Sequence, residues 1–255
     1  MLETLKNLIG RPFGVMRAAG VPDEIRMFGK QMLFTLMNLK SRPTGLLTRY
    51  GATGAPWFLR ADLLGKSPHL ISAGLSDDIK FEEEFLAKHS TGTLLGIDPT
   101  PLCAPLMHDL EMRFKGRVTY RREALGGENS EKEIFAQIGL DGEVNYFYWA
   151  LPPGASRMNL VKKSLTVVGI GTLLAEHGST VDLLKIDIEG AEYDLLSMFP
   201  KLPTLPRQLL VEFHYRFDSY SLRQTKSLIG SLERLGYRLE WMSDWREEFL
   251  FVHQR

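Results

Sequence analysis

A single cysteine, Cys103, stands in 255 residues. One cysteine excludes an intramolecular disulfide and any multi-cysteine zinc site, and it suits a reducing compartment. No apolar run reaches the ~18 residues that a membrane span needs. Lys6, Arg11 and Arg17 interrupt the N-terminal stretch where the apolar core of a signal peptide would lie. Net charge is missing as well: 31 Lys and Arg balance 31 Asp and Glu, so there is no basic footprint for nucleic acid. Internal repeats and low-complexity tracts are absent too. With 44% hydrophobic and 24% charged residues, the composition is that of a folded globular chain rather than a disordered one. These absences predict a cytoplasmic protein with no transmembrane segment and no nucleic-acid partner.

The neutral total hides an asymmetry. Residues 1–50 carry eight basic and three acidic groups. They read as helical, with Leu2, Leu5, Leu8 and Ile9 at helical spacing and a second apolar stretch from Met27 to Leu39. Breaks follow at Arg42-Pro43-Thr44-Gly45 and Gly51-Ala52-Thr53-Gly54. From about residue 68, short apolar runs alternate with helical patterns. The runs are His69–Ala73, Thr93–Ile97, Arg117–Tyr120, Val181–Ile186, Gln208–Phe213, Tyr237–Met242 and Phe249–His253. The helical patterns fall near 79–89, 102–114, 171–177, 190–198 and 219–235. Such alternation predicts an α/β chain of right-handed βαβ units and a parallel sheet covered on both faces. The six residues between the last two runs are too few for a crossover helix, so the last strand is expected to be antiparallel. Between Glu123 and Ser164 the alternation stops. Glu133–Ile138 and Glu143–Trp149 read there as an inserted hairpin around Asp141-Gly142.

In an open parallel sheet, ligands sit beyond the carboxyl ends of the strands, where strand order reverses. After the first run comes Ala73-Gly74-Leu75-Ser76-Asp77-Asp78, in which Gly74 permits a tight turn and Asp77 or Asp78 is placed to cap a helix. Ser76 and Ile79 stand where a G-x-G-x-x-G motif would have glycines. Asp98-Pro99-Thr100-Pro101 follows the second run, with Asp98 placed 24 residues past Gly74. That is close to the ~20-residue offset of a ribose-binding carboxylate, although a helix cap explains the residue equally well. As a strand-tip carboxylate, Asp98 is expected to matter little to stability. The run Asp182–Ile186 leads into Asp187-Ile188-Glu189-Gly190-Ala191-Glu192, three carboxylates within six residues. Helix-start decoration accounts for Glu189 and Glu192 but not for Asp187. The next run ends in Glu212-Phe213-His214, whose alternation places Glu212 and His214 on one side as a candidate base or ligand pair. Asp187, Glu189, Glu212 and His214 would together make an oxygen-rich site with one imidazole. No H-E-x-x-H or similar spacing accompanies them, and no metal is expected.

At these residues the chain resembles the FkbM-like family of S-adenosylmethionine-dependent methyltransferases, closest to a branch with an Asp-Pro-Thr-Pro turn. Leu184-Lys185-Ile186-Asp187-Ile188-Glu189-Gly190-Ala191-Glu192 is similar to the family's central motif almost letter for letter. Asp77–Glu82, Asp98–Pro101, Glu123–Gly127 and Thr172-Leu173 agree in the expected order. The resemblance implies a class I, Rossmann-like seven-stranded sheet with an antiparallel last strand. To this the sequence adds N-terminal helices over residues 1–55 and the inserted hairpin, with residues 56–255 as the methyltransferase domain. It also implies S-adenosyl-L-methionine as cofactor. Gly74 with its neighbours Ala73 and Leu75 would line its methionine end, Asp98 would hold its ribose, and Glu123, Ala124 and Leu125 would approach its adenine, with Asp78 and Pro99 also among the cofactor-binding residues. Asp187 would stand between the methyl group and the acceptor. The implied reaction is O-methylation of a hydroxyl on a sugar or sugar-containing small molecule. The catalytic base is expected to be His214, oriented by Asp187 or Glu212, with Asp187 itself as the competing choice. Where the family often has a second glycine in the cofactor loop, this chain has Ser76.

Two other classes remain open at this point. A nicotinamide-dependent oxidoreductase would need a glycine-rich pyrophosphate cradle, which the Ala73–Asp78 loop lacks. A non-catalytic binding protein would use the basic N-terminal arm for contact. Those N-terminal helices are also where acceptor selection or a homo-oligomer contact is expected.

Overall fold

The computed structural model describes residues 22–54, 56–177, 181–217 and 219–254. The apolar stretch at Leu2–Ile9 lies outside them. In chain order the strands are β1 (Thr48–Tyr50), β2 (Trp57–Leu59), β3 (His69–Ala73), β4 (Thr93–Ile97), β5 (Val118–Arg121), β6 (Ala124–Gly126), β7 (Ser130–Ile138), β8 (Val144–Tyr148), β9 (Leu160–Gly169), β10 (Leu183–Ile186), β11 (Gln208–Glu212), β12 (Tyr237–Met242) and β13 (Glu248–His253). The helices are α1 (Asp23–Leu36), α2 (Lys80–Lys88), α3 (Cys103–Arg113), α4 (Ile170–His177), α5 (Glu192–Ser197) and α6 (Leu222–Arg234).

Seven strands form the main sheet in the order β12-β13-β11-β10-β3-β4-β5. Only β13 runs against its neighbours, pairing antiparallel with both β11 and β12. This is the doubly wound sheet with an antiparallel last strand that the sequence predicts. Strand side chains alternate between two apolar layers, as the pleat requires. Ile71, Leu184, Leu209 and Val211 pack with Leu33 and Phe34 of α1, Leu173 of α4, Leu195 of α5 and Ile229 of α6. Leu70, Leu183 and Leu210 face the other way, toward Tyr50, Trp57, Phe85 of α2 and Met107 of α3. α6 shows how the pattern builds a helix: Leu222, Thr225, Ile229 and Leu232 are buried on one face. Ser221 caps that helix by accepting the Gln224 N–H.

The insertion is larger than a hairpin. β7 and β8 pair as expected, but β9 runs antiparallel to β7 through eight registered positions and carries β6 on its other edge. A four-stranded sheet, β6-β9-β7-β8, results. Its Trp149 N–H donates to the Glu189 carbonyl (2.9 Å), which docks the insertion against the tip of β10. Among the described residues no helix is long and apolar enough to cross a membrane.

Candidate active site

Strand order reverses between β3 and β10, and the tips of β3, β4 and β10 are stitched together there. The Asp187 N–H donates to the Ala73 carbonyl (2.9 Å), and the Gly74 N–H donates to the Ile97 carbonyl (3.1 Å). Gly74 sits at φ +81°, and a Cβ on it would fall 1.5 Å from the Asp187 carbonyl oxygen. Only glycine lets the two tips approach this closely. Ser76, at the second glycine position of the loop, also has a left-handed backbone, φ +51°. The turn keeps its shape with serine at the cost of local strain.

Asp98 holds the loop from the other side. Its Oδ2 accepts the Leu75 N–H (2.7 Å) and the Ser76 N–H (3.0 Å), and its Oδ1 accepts the Thr100 N–H (2.6 Å). The carboxylate is 4% exposed. It is therefore an interior strut as well as a strand-tip group, which corrects the expectation that stability is indifferent to it. Beneath the loop, the Lys185 ammonium donates to the Gly74 carbonyl (3.2 Å) and lies 3.6 Å from buried Glu82.

These tips floor a cleft of about 1060 Å³, its open mouth included. Gly74, Leu75, Asp78, Asp98, Pro99, Ala124, Leu125 and Asp187 all line it. Aromatic walls come from Trp57 and Phe81 on one side and from Tyr146, Phe147 and Trp149 of the insertion on the other. Such an enclosure, apolar with a few converging polar groups, suits a nucleoside-sized ligand. Ala73 is buried and does not line the cleft. Glu123 is not brought to the cleft; it pairs with Arg121, which also holds Glu176.

Beside the cleft, the tips of β10 and β11 gather four carboxylates around one imidazole. His214 is completely buried. Its Nδ1 lies 3.1 Å from Glu192 Oε1, which also accepts the His214 N–H (2.8 Å). Its Nε2 lies 3.4 Å from Glu189, 3.6 Å from Glu212 and 3.8 Å from Asp187. Burial alone would push the imidazole down, but Glu192, Glu189 and Glu212 outweigh it and hold His214 at about 10. Burial and the Glu212 charge push Asp187 well above the usual carboxylate range. Glu212 moves the other way: His214 and Arg216 overcome its desolvation and keep it ionised. Neither Glu212 nor His214 lines the cleft; Asp187 does.

The model of the FkbM methyltransferase domain matches residues 66–239 of this sequence. The chain belongs to the FkbM methyltransferase family. The matched span contains the whole cleft floor and the His214 cluster. Among solved structures, a fibrillarin/Nop5p complex is similar at a TM-score of 0.42 and 10% identity over 75% of each chain. No curated protein sequence matches. The strand order and the family together give the Rossmann-like class I methyltransferase fold.

Within this FkbM domain, several residues of the candidate site were not legible in the sequence. Glu192 reads as helix-start decoration, yet it is fully buried, accepts the Gly190 N–H and orients His214. The Lys185–Glu82 pair joins residues a hundred positions apart with no local signature. The aromatic wall of the insertion could not be read from strand alternation, because the consecutive Tyr146 and Phe147 both line the cleft.

Proposed function

We propose that this FkbM-family chain transfers the methyl group of S-adenosyl-L-methionine to a hydroxyl oxygen of a sugar or sugar-containing small molecule. The observation that carries the reading is the glycine-dependent junction of Gly74 with Asp187, which places a backbone cradle, an aromatic-walled cleft and a carboxylate in one enclosure. Gly74, Leu75 and Ser76 would take the methionine end, with Asp78 at the rim. Three of the roughly four acceptor positions of Asp98 are spent on backbone N–H groups, leaving one for a ribose hydroxyl. Pro99, Ala124 and Leu125 would flank the adenine. The lack of a second and third loop glycine disfavours a dinucleotide pyrophosphate in the same place.

The acceptor side is supported by a second pocket that shares Glu189 with the cofactor cleft. Tyr148, Phe217 and Trp245 give it aromatic faces, and Arg26, Arg157 and Glu247 give it hydrogen-bonding charges. Flat apolar faces among charged rims suit a polyhydroxylated ring. α1 forms part of this pocket through Asp23, Arg26 and Lys30, which supports a role for the N-terminal extension in acceptor choice.

When bound, the cofactor supplies a sulfonium methyl that an acceptor oxygen takes in line, the broken C–S bond leaving its electron pair on sulfur. The protein's share is alignment and removal of the hydroxyl proton. Of the two expected bases, Asp187 faces the cleft while His214 is enclosed, so the proton passes to Asp187 in this reading, with His214 and Glu212 fixing its position. Buried Cys103 accords with a cytoplasmic, reducing setting. Titration calorimetry with S-adenosylmethionine, S-adenosylhomocysteine and NAD tests the cofactor class. Binding of the first two and not the third is expected; binding of NAD alone would overturn the reading.

A further inference from the structure

The arrangement around His214 Nε2 is unusual for a buried nitrogen. The side chain is completely buried, and this atom makes no hydrogen bond among the described residues. It nevertheless points at Asp187, Glu189 and Glu212, whose oxygens lie 3.4–3.8 Å away. Those separations exceed a hydrogen bond. They match atoms that share one ion, because ligands ~2.1 Å from a metal sit about 3–4 Å from one another.

We propose that Asp187, Glu212 and His214 form a divalent-cation site between the two pockets, with Glu189 or water completing the shell. This goes against the expectation, drawn from motif spacing, that no metal is bound. One ligand atom from each of the three residues lies within 4.8 Å of the others. The imidazole is prepared for the task by its other nitrogen: Nδ1 is fixed on Glu192, which is itself held by the Gly190 N–H. A carboxylate on the far ring nitrogen is the usual outer support of a metal-bound histidine, and the arriving ion would displace the Nε2 proton to solvent. Arg216 donates to Glu212 Oε1 (3.1 Å), the oxygen that also lies 3.6 Å from His214 Nε2, and a carboxylate oxygen with two lone pairs can accept from Arg216 and face an ion at once. Two carboxylates with one imidazole suit a first-row ion such as Mn²⁺ better than Ca²⁺, which takes oxygen alone. Asp187 and Glu189 face the cleft, so the open coordination positions point to where an acceptor oxygen would arrive. Resting on the methyl-transfer reading, the ion's part there is to hold that oxygen and favour loss of its proton.

The test uses the full chain, stripped with a chelator and titrated with MnCl₂ while free Mn²⁺ is followed by EPR. One tight equivalent is expected, with a rise in melting temperature on saturation. Glu212→Gln and His214→Gln should each weaken the site about 10- to 100-fold. Pulsed EPR of the wild-type complex should show coupling to an imidazole nitrogen, a readout that needs no variant to fold. No saturable binding of Mn²⁺, Zn²⁺ or Mg²⁺ at millimolar concentration, or a bound ion without nitrogen coupling, would overturn the proposal. S-adenosylhomocysteine calorimetry on the same metal-free sample separates the two readings. Nucleoside binding without metal binding overturns the cation site alone, and metal binding without nucleoside binding overturns the methyltransferase reading alone.

Discussion

A single carboxylate, Asp98, and a cluster of them around Asp187 lie on either side of the β3–β10 junction, and they are built on opposite terms. At Asp98 three backbone N–H groups meet the two oxygens at hydrogen-bonding distance. At Asp187 three acidic side chains face an imidazole nitrogen that hydrogen-bonds to none of them. A satisfied buried carboxylate adds stability and fixes geometry. Carboxylates crowded around one buried imidazole raise one another's proton affinity and persist where their charge has work to do. In the proposed function the first would shape the cofactor loop and the second would carry the chemistry.

The comparison breaks most completely at the junction itself. Gly74→Ala should remove both arrangements at once, because the added methyl meets the Asp187 carbonyl and the backbone is left-handed. The expected outcome is a loss above about 4 kcal/mol or no folded protein, read by urea unfolding. Next in size, Asp187→Asn should lower kcat by ~10²–10⁴-fold while S-adenosylhomocysteine affinity stays near wild type. Steady-state turnover with calorimetry on the same sample checks both halves. Asp98→Ala should weaken S-adenosylhomocysteine roughly 10- to 100-fold, since it frees the loop and removes a charged acceptor. An unchanged affinity would take Asp98 out of the cofactor site.

The smallest effect sharpens the contrast by its distance from both arrangements. His69, His89 and His177 are all pushed below the usual histidine range, burial being the main cause in each. Their unfolded forms bind protons first. Stability attributable to them is thus present above about 6.5 and declines as pH falls from there through their lowered folded values. A pH series of melting temperatures should show this gradual decline, and His69→Gln should reduce it.

Much of this division is legible in the amino-acid sequence. Apolar runs mark β3, β4 and β12 to the residue, and Asp187 after Ile186 marks the candidate site because helix-start decoration does not account for it. β9 is hidden because Val161–Ser164 is exposed, so Lys162, Lys163 and Ser164 mask its strand character. Its partner β7 lies beyond β8 in the chain, and pairing between strands that are not neighbours in sequence leaves no local period to detect. The satisfied state of Asp98 is hidden for a related reason. A ribose ligand, a helix cap and a loop strut all call for the same residue after a strand, and only the positions of the Leu75, Ser76 and Thr100 amides distinguish them.

The division of labour is tested most directly by urea unfolding of the two isosteric variants, Asp98→Asn and Asp187→Asn, side by side. Asp98→Asn should lose about 2 kcal/mol or more, because an amide group replaces an oxygen that accepts backbone N–H groups. Asp187→Asn should be as stable as wild type or more so, because one of four crowded carboxylates loses its charge. The reverse order, with Asp187→Asn the more damaging to stability, would contradict the account.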